Sequence, residues 1–285
     1  AETIVDPFAL HFMEKVSSID FGARDTFGTC QDSRNTYNGQ APPNDFSGPT
    51  LWSSDPEIFG ISNPEAVAFL TDQFGMPTDL GSHLDMLHES PLCMGIAWET
   101  DNVYWVFDGK DGAIVRYDFQ EDHGPGYDDH SDGIISRFAS GSVSRVSGTV
   151  SHLAWDHDRA VLYIADSGNG RVAVLDPSGA ERGEALRATE PGTDHHRMKG
   201  ARPETLVDGA SVGLDRPAGL ELLDDRLVVT DAADGQVFVF ETDGTLVGTL
   251  ETGLGADALA GVTGSSLDDL WIVDAKGDRV HRLAR

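Results

Sequence analysis

The hydrophobic and polar positions of this chain follow one pattern that recurs along most of its length. Three stretches, which begin at His152, Ala218 and Ala260, each predict three short strands: a small apolar strand, a β-branched or aromatic strand that ends in Asp, and a third strand after a turn with Gly. A clear fourth copy begins at Met94 and a degenerate fifth at Val16. Repeats of short strands with no helical periodicity between them are typical of a β-propeller, so we predict an all-β, single-domain fold.

The Asp at the end of the second strand keeps its place in each copy. It occurs 12 to 14 residues after the start of the first strand, at Asp32, Asp108, Asp166, Asp231 and Asp274. A carboxylate at this place can accept hydrogen bonds from the backbone N–H groups of the tight turn that follows. We therefore expect the repeated Asp to be structural.

Five blades can be counted from these copies, and a sixth is possible in the long spacing between Asp32 and Asp108. The predicted bounds are about 14–75 for blade one with an insertion over 35–87, 91–140 for blade two, 149–190 for blade three, 215–251 for blade four and 257–285 for blade five. Blade five has only three strands. We expect residues 4–14 to supply its outer strand and close the propeller, because closure removes an open sheet edge.

Composition narrows the classes of partner. The 285 residues include 48 acids and 20 bases, which give a formal net charge of −28, and the bases form no cluster. Such a surface repels phosphate backbones and anionic lipids, so we exclude nucleic acid and membranes as partners. No apolar run approaches the roughly 20 residues that cross a bilayer. We expect a monomer with a well-solvated surface that attracts cations.

Cys30 and Cys93 are the two cysteines of the sequence. A disulfide between them would join blade one to blade two across the insertion; the alternatives are two buried thiols, or copper ligation by Cys93 with Met94 and a histidine. The sequence starts at Ala1 with neither an initiating Met nor an apolar leader, which fits a processed chain. We therefore expect a secreted or periplasmic protein.

Two stretches resemble the blades of NHL-repeat proteins: IADSGNGRVAVLD from Ile164 and RPAGLELLDDRLVVTDAADGQVFVF from Arg216. The typical NHL pattern is a first strand with Pro-x-Gly followed by Ile or Leu, which the second stretch contains, and a hairpin with Asp and then Arg or Gln, which both contain. The resemblance is good over Ser151–Arg285, fair over 91–140 and poor over the first 90 residues. It implies a propeller, usually of six blades. Peptidyl-hydroxyglycine lyases are relatives whose inner-strand histidines bind a catalytic metal, so the resemblance also implies that type of site, but not that activity.

Histidines concentrate in segments that lead from one blade to the next or begin a first strand, namely His11, His83, His88, His152, His195 and His196. Because strand directions alternate, we expect these segments on one face, at the mouth of a central channel. His152 takes the place that Gly fills in three sister copies, so it is predicted to point at the axis; the alternative is a histidine that plugs the channel and bonds to backbone. Imidazole is a common ligand of Zn, Cu and Fe. We predict His152 and His88 as metal ligands, with His83, His11 or His195 completing the shell.

The loop EDHGPGYDDHSDG, which starts at Glu121, is dense in acids and Gly. Asp128, Asp129 and Asp132 are candidates for a Ca²⁺ site, although their spacing is not that of an EF-hand; a solvated acidic loop is the alternative. Because the loop joins strands three and four of blade two, the alternation of strands predicts it on the face away from His152.

These features lead to three hypotheses of function. The first is an exported NHL-like propeller with a His-ligated transition metal at the channel mouth, a metal-dependent enzyme that acts on a small molecule or a peptide end. The second is a non-enzymatic propeller that binds a protein or ligand. The third, which resembles gluconolactonases or paraoxonases, is a calcium-dependent lactonase with Asn63, Glu65 and Asp85 as candidate ligands.

Overall fold

The computed structural model describes residues 3–7, 13–36 and 39–284. The chain forms two compact units. The first consists of the residues up to Asp111 with Val115–Arg137 and Arg182–Met198, and the second of Gly112–Ile114, Phe138–Glu181 and the residues from Lys199 onwards. Strands make up most of both units, and no helix among the described residues is long and apolar enough to cross a membrane.

Blade one is an antiparallel sheet in the first unit. Its strands, in spatial order, are β1 (Val16–Phe21), β2 (Thr26–Gln31), β3 (Thr50–Ser53) and β4 (His83–Met86). The strands β2, β3 and β4 are buried along their whole length, and Trp52 packs with Phe27 and Met86. This core fixes the start of β4 within the blade.

The helix α1 (Pro64–Phe74) lies in the chain segment between β3 and β4. It begins there because Asn63 accepts a hydrogen bond from the backbone N–H of Glu65 (3.1 Å) and because Pro64 suits the first turn. It ends at Gly75, which takes the left-handed conformation (φ 68°) that terminates many helices. Ala66 and Leu70 form its buried face.

Blade two contains the strands β5 (Cys93–Thr100), β6 (Val103–Asp108), β7 (Ala113–Asp118) and β8 (Ile134–Phe138). Two further strands, β12 (Glu181–Ala185) and β13 (Asp194–Lys199), extend this sheet beyond β8. The strand β13 runs parallel to β8, with Asp194 opposite Ile134 and Arg197 opposite Arg137. The connection between β12 and β13 is thereby placed beside blade two.

The second unit holds the other three sheets. Blade three is formed by β9 (Leu153–Asp156), β10 (Val161–Asp166), β11 (Arg171–Leu175) and β14 (Glu204–Asp208), which is followed by the short helix α2 (Gly209–Val212). Blade four is formed by β15 (Pro217–Leu223), β16 (Arg226–Asp231), β17 (Gln236–Glu241) and β18 (Leu246–Glu251), and blade five by β19 (Leu259–Ser266), β20 (Asp269–Asp274) and β21 (Arg279–Ala284). Leu227, Val229 and Phe238 belong to a buried core shared by blades three and four.

The five sheets confirm the predicted all-β propeller with five blades. No sixth sheet forms among residues 3–7, 13–36 and 39–284. Of the predicted closing strand 4–14, residues 8–12 lie outside the described part of the chain, and its other residues form no strand.

The strands differ from the predicted blade bounds in two places. The predicted insertion 35–87 contains β3 and β4, the two outer strands of blade one, which at four residues each give little sequence signal. Blade three takes its outer strand from Glu204–Asp208, beyond the predicted end at residue 190. The intervening β12 is polar and largely exposed, and the buried residues of β13 are the adjacent polar side chains His195 and His196, so no hydrophobic alternation marked either strand.

In blades two and five the repeated Asp makes the predicted hydrogen bonds to its turn. Asp108 Oδ1 accepts hydrogen bonds from the backbone N–H groups of Lys110 (2.9 Å) and Asp111 (3.0 Å), and Asp274 Oδ1 accepts one from Gly277 (2.8 Å). These bonds stabilise the turns after the second strands.

A disulfide joins Cys30 of β2 to Cys93 of β5, which confirms the predicted pairing. Both cysteines are buried, and the bond links blade one to blade two within the first unit.

Candidate metal centre

Three histidine side chains from blades one and two lie together in the first unit. His83 begins β4, whereas His123 and His130 lie in the connection between β7 and β8. One ring nitrogen from each comes within 4.8 Å of the other two. The ring centroids are 4.9 Å apart for His83 and His123, 4.8 Å for His123 and His130, and 5.9 Å for His83 and His130. We call these residues the His triad.

Backbone pairing brings the loop of His123 and His130 to β4. The backbone N–H of His123 donates to Leu84 O (3.2 Å), and that of Gly126 donates to His83 O (2.9 Å). Gly126 has φ +78°, and a Cβ there would lie 2.6 Å from Gly81 O, so a residue with a side chain does not fit. The loop conformation that assembles the triad therefore depends on glycine at this position.

Hydrogen bonds to backbone carbonyls fix the tautomers of two triad members. His83 Nδ1 lies 3.0 Å from Leu80 O, and His123 Nδ1 lies 2.7 Å from Gly124 O. A carbonyl oxygen only accepts, so Nδ1 carries the hydrogen in both rings. In the neutral ring the lone pair is then on Nε2, the atom that ligates a metal.

The third triad member is oriented by carboxylates. His130 Nδ1 lies 2.9 Å from Asp85 Oδ1, and its Nε2 lies 3.2 Å from Asp128 Oδ1. The bond to Asp85 is the arrangement by which a carboxylate orients a metal-binding histidine. All three Nδ1 atoms are thus bonded to oxygen.

The triad members have different charges at neutral pH. Burial lowers the pKa of His83 well below its usual range and that of His123 to about 4, and the neighbouring histidines add to both effects, so both rings are neutral. Burial also lowers the pKa of His130, but the hydrogen bonds to Asp128 and Asp85 outweigh it and raise that pKa to about 9. His130 is therefore protonated in the metal-free protein, and a bound metal ion would replace that proton.

The hydrogen bonding of two buried polar atoms indicates whether a metal ion fits this region. Within the described part of the chain, His123 Nε2 and Asp85 Oδ2 are shielded from solvent and have no hydrogen-bond partner. Leaving such atoms without a partner costs free energy. A cation on His123 Nε2 would satisfy the first, and its charge would favour the ionised form of Asp85, whose pKa burial raises to about 7. Three imidazole nitrogens suit Zn, Cu or Fe and leave coordination positions open.

A second buried pair lies beside the triad. His88, just after β4, has its ring centroid 6.3 Å from that of His130, and its Nδ1 is hydrogen-bonded to Glu190 Oε1. Phe46 stacks on the His88 ring with 3.6 Å between centroids. Burial lowers the pKa of His88, whereas for Glu190 the hydrogen bond to His88 outweighs burial and lowers the pKa. The pair is therefore a neutral imidazole held by a carboxylate.

Glu190 belongs to the connection between β12 and β13. That connection is fastened to the triad loop, because Thr193 Oγ1 donates to His130 O (3.0 Å) and the backbone N–H of Asp194 donates to Gly133 O (2.9 Å).

The structure does not bring the predicted ligands together as one group. His83 is in the triad, but His88 is bonded to Glu190. His195 lies outside the triad, with Nδ1 donating to Arg187 O (2.8 Å) and Nε2 accepting from Arg137 Nε (3.5 Å).

The remaining two predicted ligands are His152 and His11. His152 belongs to the second unit, where its backbone N–H donates to Ala218 O (2.9 Å) and its carbonyl accepts from Ala165 N–H (3.0 Å). His11 lies outside the described residues.

Sequence reasoning did not select His123 and His130 as ligands. Strand alternation placed their loop correctly between strands three and four of blade two, but it assigned His83 to an inter-blade segment. His83 in fact begins strand four of blade one, so all three histidines lie where a third strand leads into a fourth. Recognising β4 would have revealed the group.

Among the described residues, the His triad is the group of three or more His, Cys, Asp or Glu side chains close enough to hold a metal, and the acids of the predicted calcium loop form other contacts. Asp128 contacts His130, Asp129 Oδ1 accepts from Ser131, and Asp132 Oδ2 accepts from Glu121 N–H. Of the lactonase candidates, Asn63 caps α1, Glu65 lies exposed in its first turn, and Asp85 orients His130.

Comparisons with known proteins find solved structures with a similar fold. No protein-family model matches the chain, and neither does any curated protein. A catalytically inactive virginiamycin B lyase from Staphylococcus aureus, solved with quinupristin, has a TM-score of 0.47 and 12% identity over 95% of this chain and 84% of that chain. The β-propeller domain of Cps50 (Swd1) from Myceliophteria thermophila has a TM-score of 0.46 and 10% identity over 91% and 63%. A streptogramin B lyase has a TM-score of 0.42 and 15% identity over 68% of this chain, which spans 51% of that chain.

Proposed function

We propose that the His triad binds one divalent transition metal ion through the Nε2 atoms of His83, His123 and His130, and that the chain is a metal-dependent enzyme acting on a small molecule or a peptide end. The tautomers of the rings support this proposal most directly. Each Nδ1 is bonded to an oxygen atom, which directs metal binding to Nε2 of the three neighbouring rings; at His130 the ion would replace the proton that Nε2 shares with Asp128. When bound, a divalent ion would polarise a substrate oxygen or lower the pKa of a water molecule.

The residues around the triad supply the other elements of catalysis. Asp85 fixes the orientation of His130 through the bond to Nδ1 (2.9 Å). His88, neutral and held by Glu190, is the proposed base, because a carboxylate on Nδ1 favours proton uptake at Nε2. The burial of these groups excludes water and strengthens their electrostatic interactions.

Cobalt titration of the metal-free protein tests the metal site. We expect one Co²⁺ per chain, with visible absorption bands of a nitrogen-ligated ion. The same titration of His123→Gln and His130→Gln should give no saturable band. A wild-type protein without a saturable band would overturn the proposal.

A panel of small esters, lactones, amides and peptides tests the catalytic part. Turnover should appear with the metal-loaded protein, disappear with a chelator and return with added metal. His88→Gln should keep the metal and lose at least about 100-fold in kcat, the usual range for a general base. Turnover that survives metal removal, or a His88→Gln variant with unchanged kcat, would contradict these roles.

The second candidate is a non-enzymatic binding propeller, which exposed apolar residues on the outer strand β18 favour. Leu246, Val247 and Leu250 are each more than a third exposed there. A protein that binds no metal but retains a partner through this strand would support that function instead. For either function we propose export, which the disulfide supports because disulfides are typical of oxidising compartments.

A further inference from the structure

We infer that the metal centre takes an uncharged or cationic small molecule whose aromatic or branched apolar group packs on Phe69 and Tyr127, next to the atom that approaches the metal. This inference rests on the proposed function. It names the class of substrate from the surroundings of the His triad.

Aromatic side chains border the triad loop. Tyr127 lies in that loop between His123 and His130, and its ring centroid is 5.7 Å from that of Phe69 on α1. Phe69 is 57% exposed and Met76, just after the helix, is 62% exposed. An exposed aromatic ring paired with a second ring beside a candidate site is typical of a surface that a ligand covers.

The helix α1 is fixed to the loop that carries two triad members. Asn63 Nδ2 donates to Pro125 O (2.9 Å), and the Cβ of Ala66 lies 3.7 Å from the position that a Cβ on Gly126 would take. Since Gly126 in turn bonds to His83, the aromatic pair keeps a constant distance from the metal ligands. The aromatic pair and the metal ligands are therefore anchored to the same loop and strand.

The charges around the triad disfavour an anion. Acidic side chains lie in the triad loop or beside the triad, namely Asp85, Asp122, Asp128, Asp129, Asp132 and Glu190. Among the described residues, no Lys or Arg forms an ion pair with any of these six. A carboxylate or phosphate that extends from the ligand beyond the metal would meet an excess of carboxylates, whereas an ammonium group would be attracted and could also lie over an aromatic face.

Three probes of the Co²⁺-loaded protein test this inference: imidazole, 4-phenylimidazole and 4-(imidazol-4-yl)benzoate. Each coordinates through the same nitrogen, so differences in affinity report the surroundings of the metal. We expect 4-phenylimidazole to bind at least about tenfold more tightly than imidazole, and the benzoate at least about tenfold more weakly than 4-phenylimidazole. Binding is followed by the visible Co²⁺ spectrum, and cobalt content is measured on the same samples.

Variants of Phe69 and Tyr127 test whether these two rings contact the phenyl group of the probe. Phe69→Ala and Tyr127→Leu should keep full cobalt content and reduce the advantage of the phenyl group to less than threefold. Phe74→Ala, also exposed on α1 but without a ring contact to Tyr127, is the matched control and should retain the advantage.

Equal affinities for imidazole and 4-phenylimidazole in a fully cobalt-loaded protein would overturn the proposed packing on Phe69 and Tyr127. Equal affinities for the phenyl and benzoate probes would overturn the charge preference. Either result would leave the metal site intact. A protein without bound cobalt would overturn the proposed function and this inference together.

Discussion

Asp85 fixes the orientation of the His130 ring, the third ring of the triad. Its Oδ1 holds His130 Nδ1 at 2.9 Å, and its backbone lies in β4 two residues after His83. The strand that supplies one ligand thus also supplies the carboxylate that orients another. A carboxylate in this role raises the basicity of the imidazole and fixes its direction.

Replacing Asp85 should weaken metal binding without removing a ligand. We expect Asp85→Asn to lower the affinity for Co²⁺ or Zn²⁺ about 10- to 100-fold, because the amide holds the ring less strongly. Competition with a chelator of known affinity measures the change. Asp129→Asn, in the same loop but bonded to Ser131, is the control and should leave the affinity unchanged. Equal losses in both variants would indicate a general charge effect instead.

The triad histidines give the metal-free protein opposite dependences on pH. Burial depresses the pKa of His123 to about 4 and that of His83 well below 6.5, so their stabilising contribution is present above pH 6.5 and is lost as the pH falls toward 4. For His130, burial lowers the pKa but the bonds to Asp128 and Asp85 raise it to about 9. Its contribution is therefore full below pH 6.5 and is lost as the pH rises to about 9.

Chemical denaturation of metal-free variants checks these signs. We expect His123→Gln to remove up to about 3 kcal/mol of the decline in unfolding free energy between pH 6.5 and 4, the value of its pKa shift. His157→Gln, at an exposed histidine, should leave the decline as it is in the wild type. The prediction fails if His123→Gln and the wild type lose the same free energy over this range.

At the scale of elements, the site depends on the pairing of one loop with one short strand. The loop after β7 follows β4 through the bonds of His123 N–H to Leu84 O and of Gly126 N–H to His83 O. Helix α1 packs on the loop through Asn63 and Ala66. The segment between β3 and β4 is thus a support for the candidate site.

Gly126 and Gly124 offer a matched pair of substitutions. Both have positive φ, but a Cβ at Gly126 would lie 2.6 Å from Gly81 O, whereas at Gly124 the nearest atom would be 3.8 Å away. We expect Gly126→Ala to cost about 1–3 kcal/mol more stability than Gly124→Ala and to lower metal affinity, because it separates the loop from β4. Thermal unfolding and Co²⁺ titration of both variants measure this. Similar behaviour of the two would show that backbone strain alone matters.

The elements also show which features the sequence could predict. The second strands, such as VYWVFD in β6, combine β-branched and aromatic residues with a terminal Asp, so they and the five blades were predictable. The strands β3 and β4 have four residues each and are separated by α1, so no periodicity revealed them. His83 was therefore a predicted ligand in the wrong structural setting, and His123 and His130 were assigned to an acidic loop. Long-range pairing, which a single sequence does not display, brings them together.

At the scale of the molecule, the disulfide is the covalent link between blades one and two. It joins residues 63 positions apart in the sequence, both buried in the first unit. Restricting a loop of that length in the unfolded chain stabilises the folded state by about 4 kcal/mol in the chain-entropy model. The formal net charge of −28 destabilises the folded state through repulsion between like charges, and the disulfide offsets part of this loss.

Removing the disulfide should therefore affect stability rather than metal binding. We expect the double variant Cys30→Ser and Cys93→Ser to lose about 2–4 kcal/mol in unfolding free energy, or to unfold at 37 °C, and any folded fraction to bind metal as before. Urea denaturation and Co²⁺ titration provide the two readouts. A stable variant that no longer binds metal would place the disulfide, contrary to our account, in the metal site.

The metal content of the purified protein tests the central claim most directly. Elemental mass spectrometry after loading with Zn²⁺ or Co²⁺ and removal of free metal should find one ion per chain in the wild type and less than about a tenth of an ion in His83→Gln, His123→Gln and His130→Gln. His152→Gln and His195→Gln should keep the full ion, because those residues lie outside the triad. A wild type without stoichiometric metal, or a loss of metal in His152→Gln but not in the triad variants, would contradict the account.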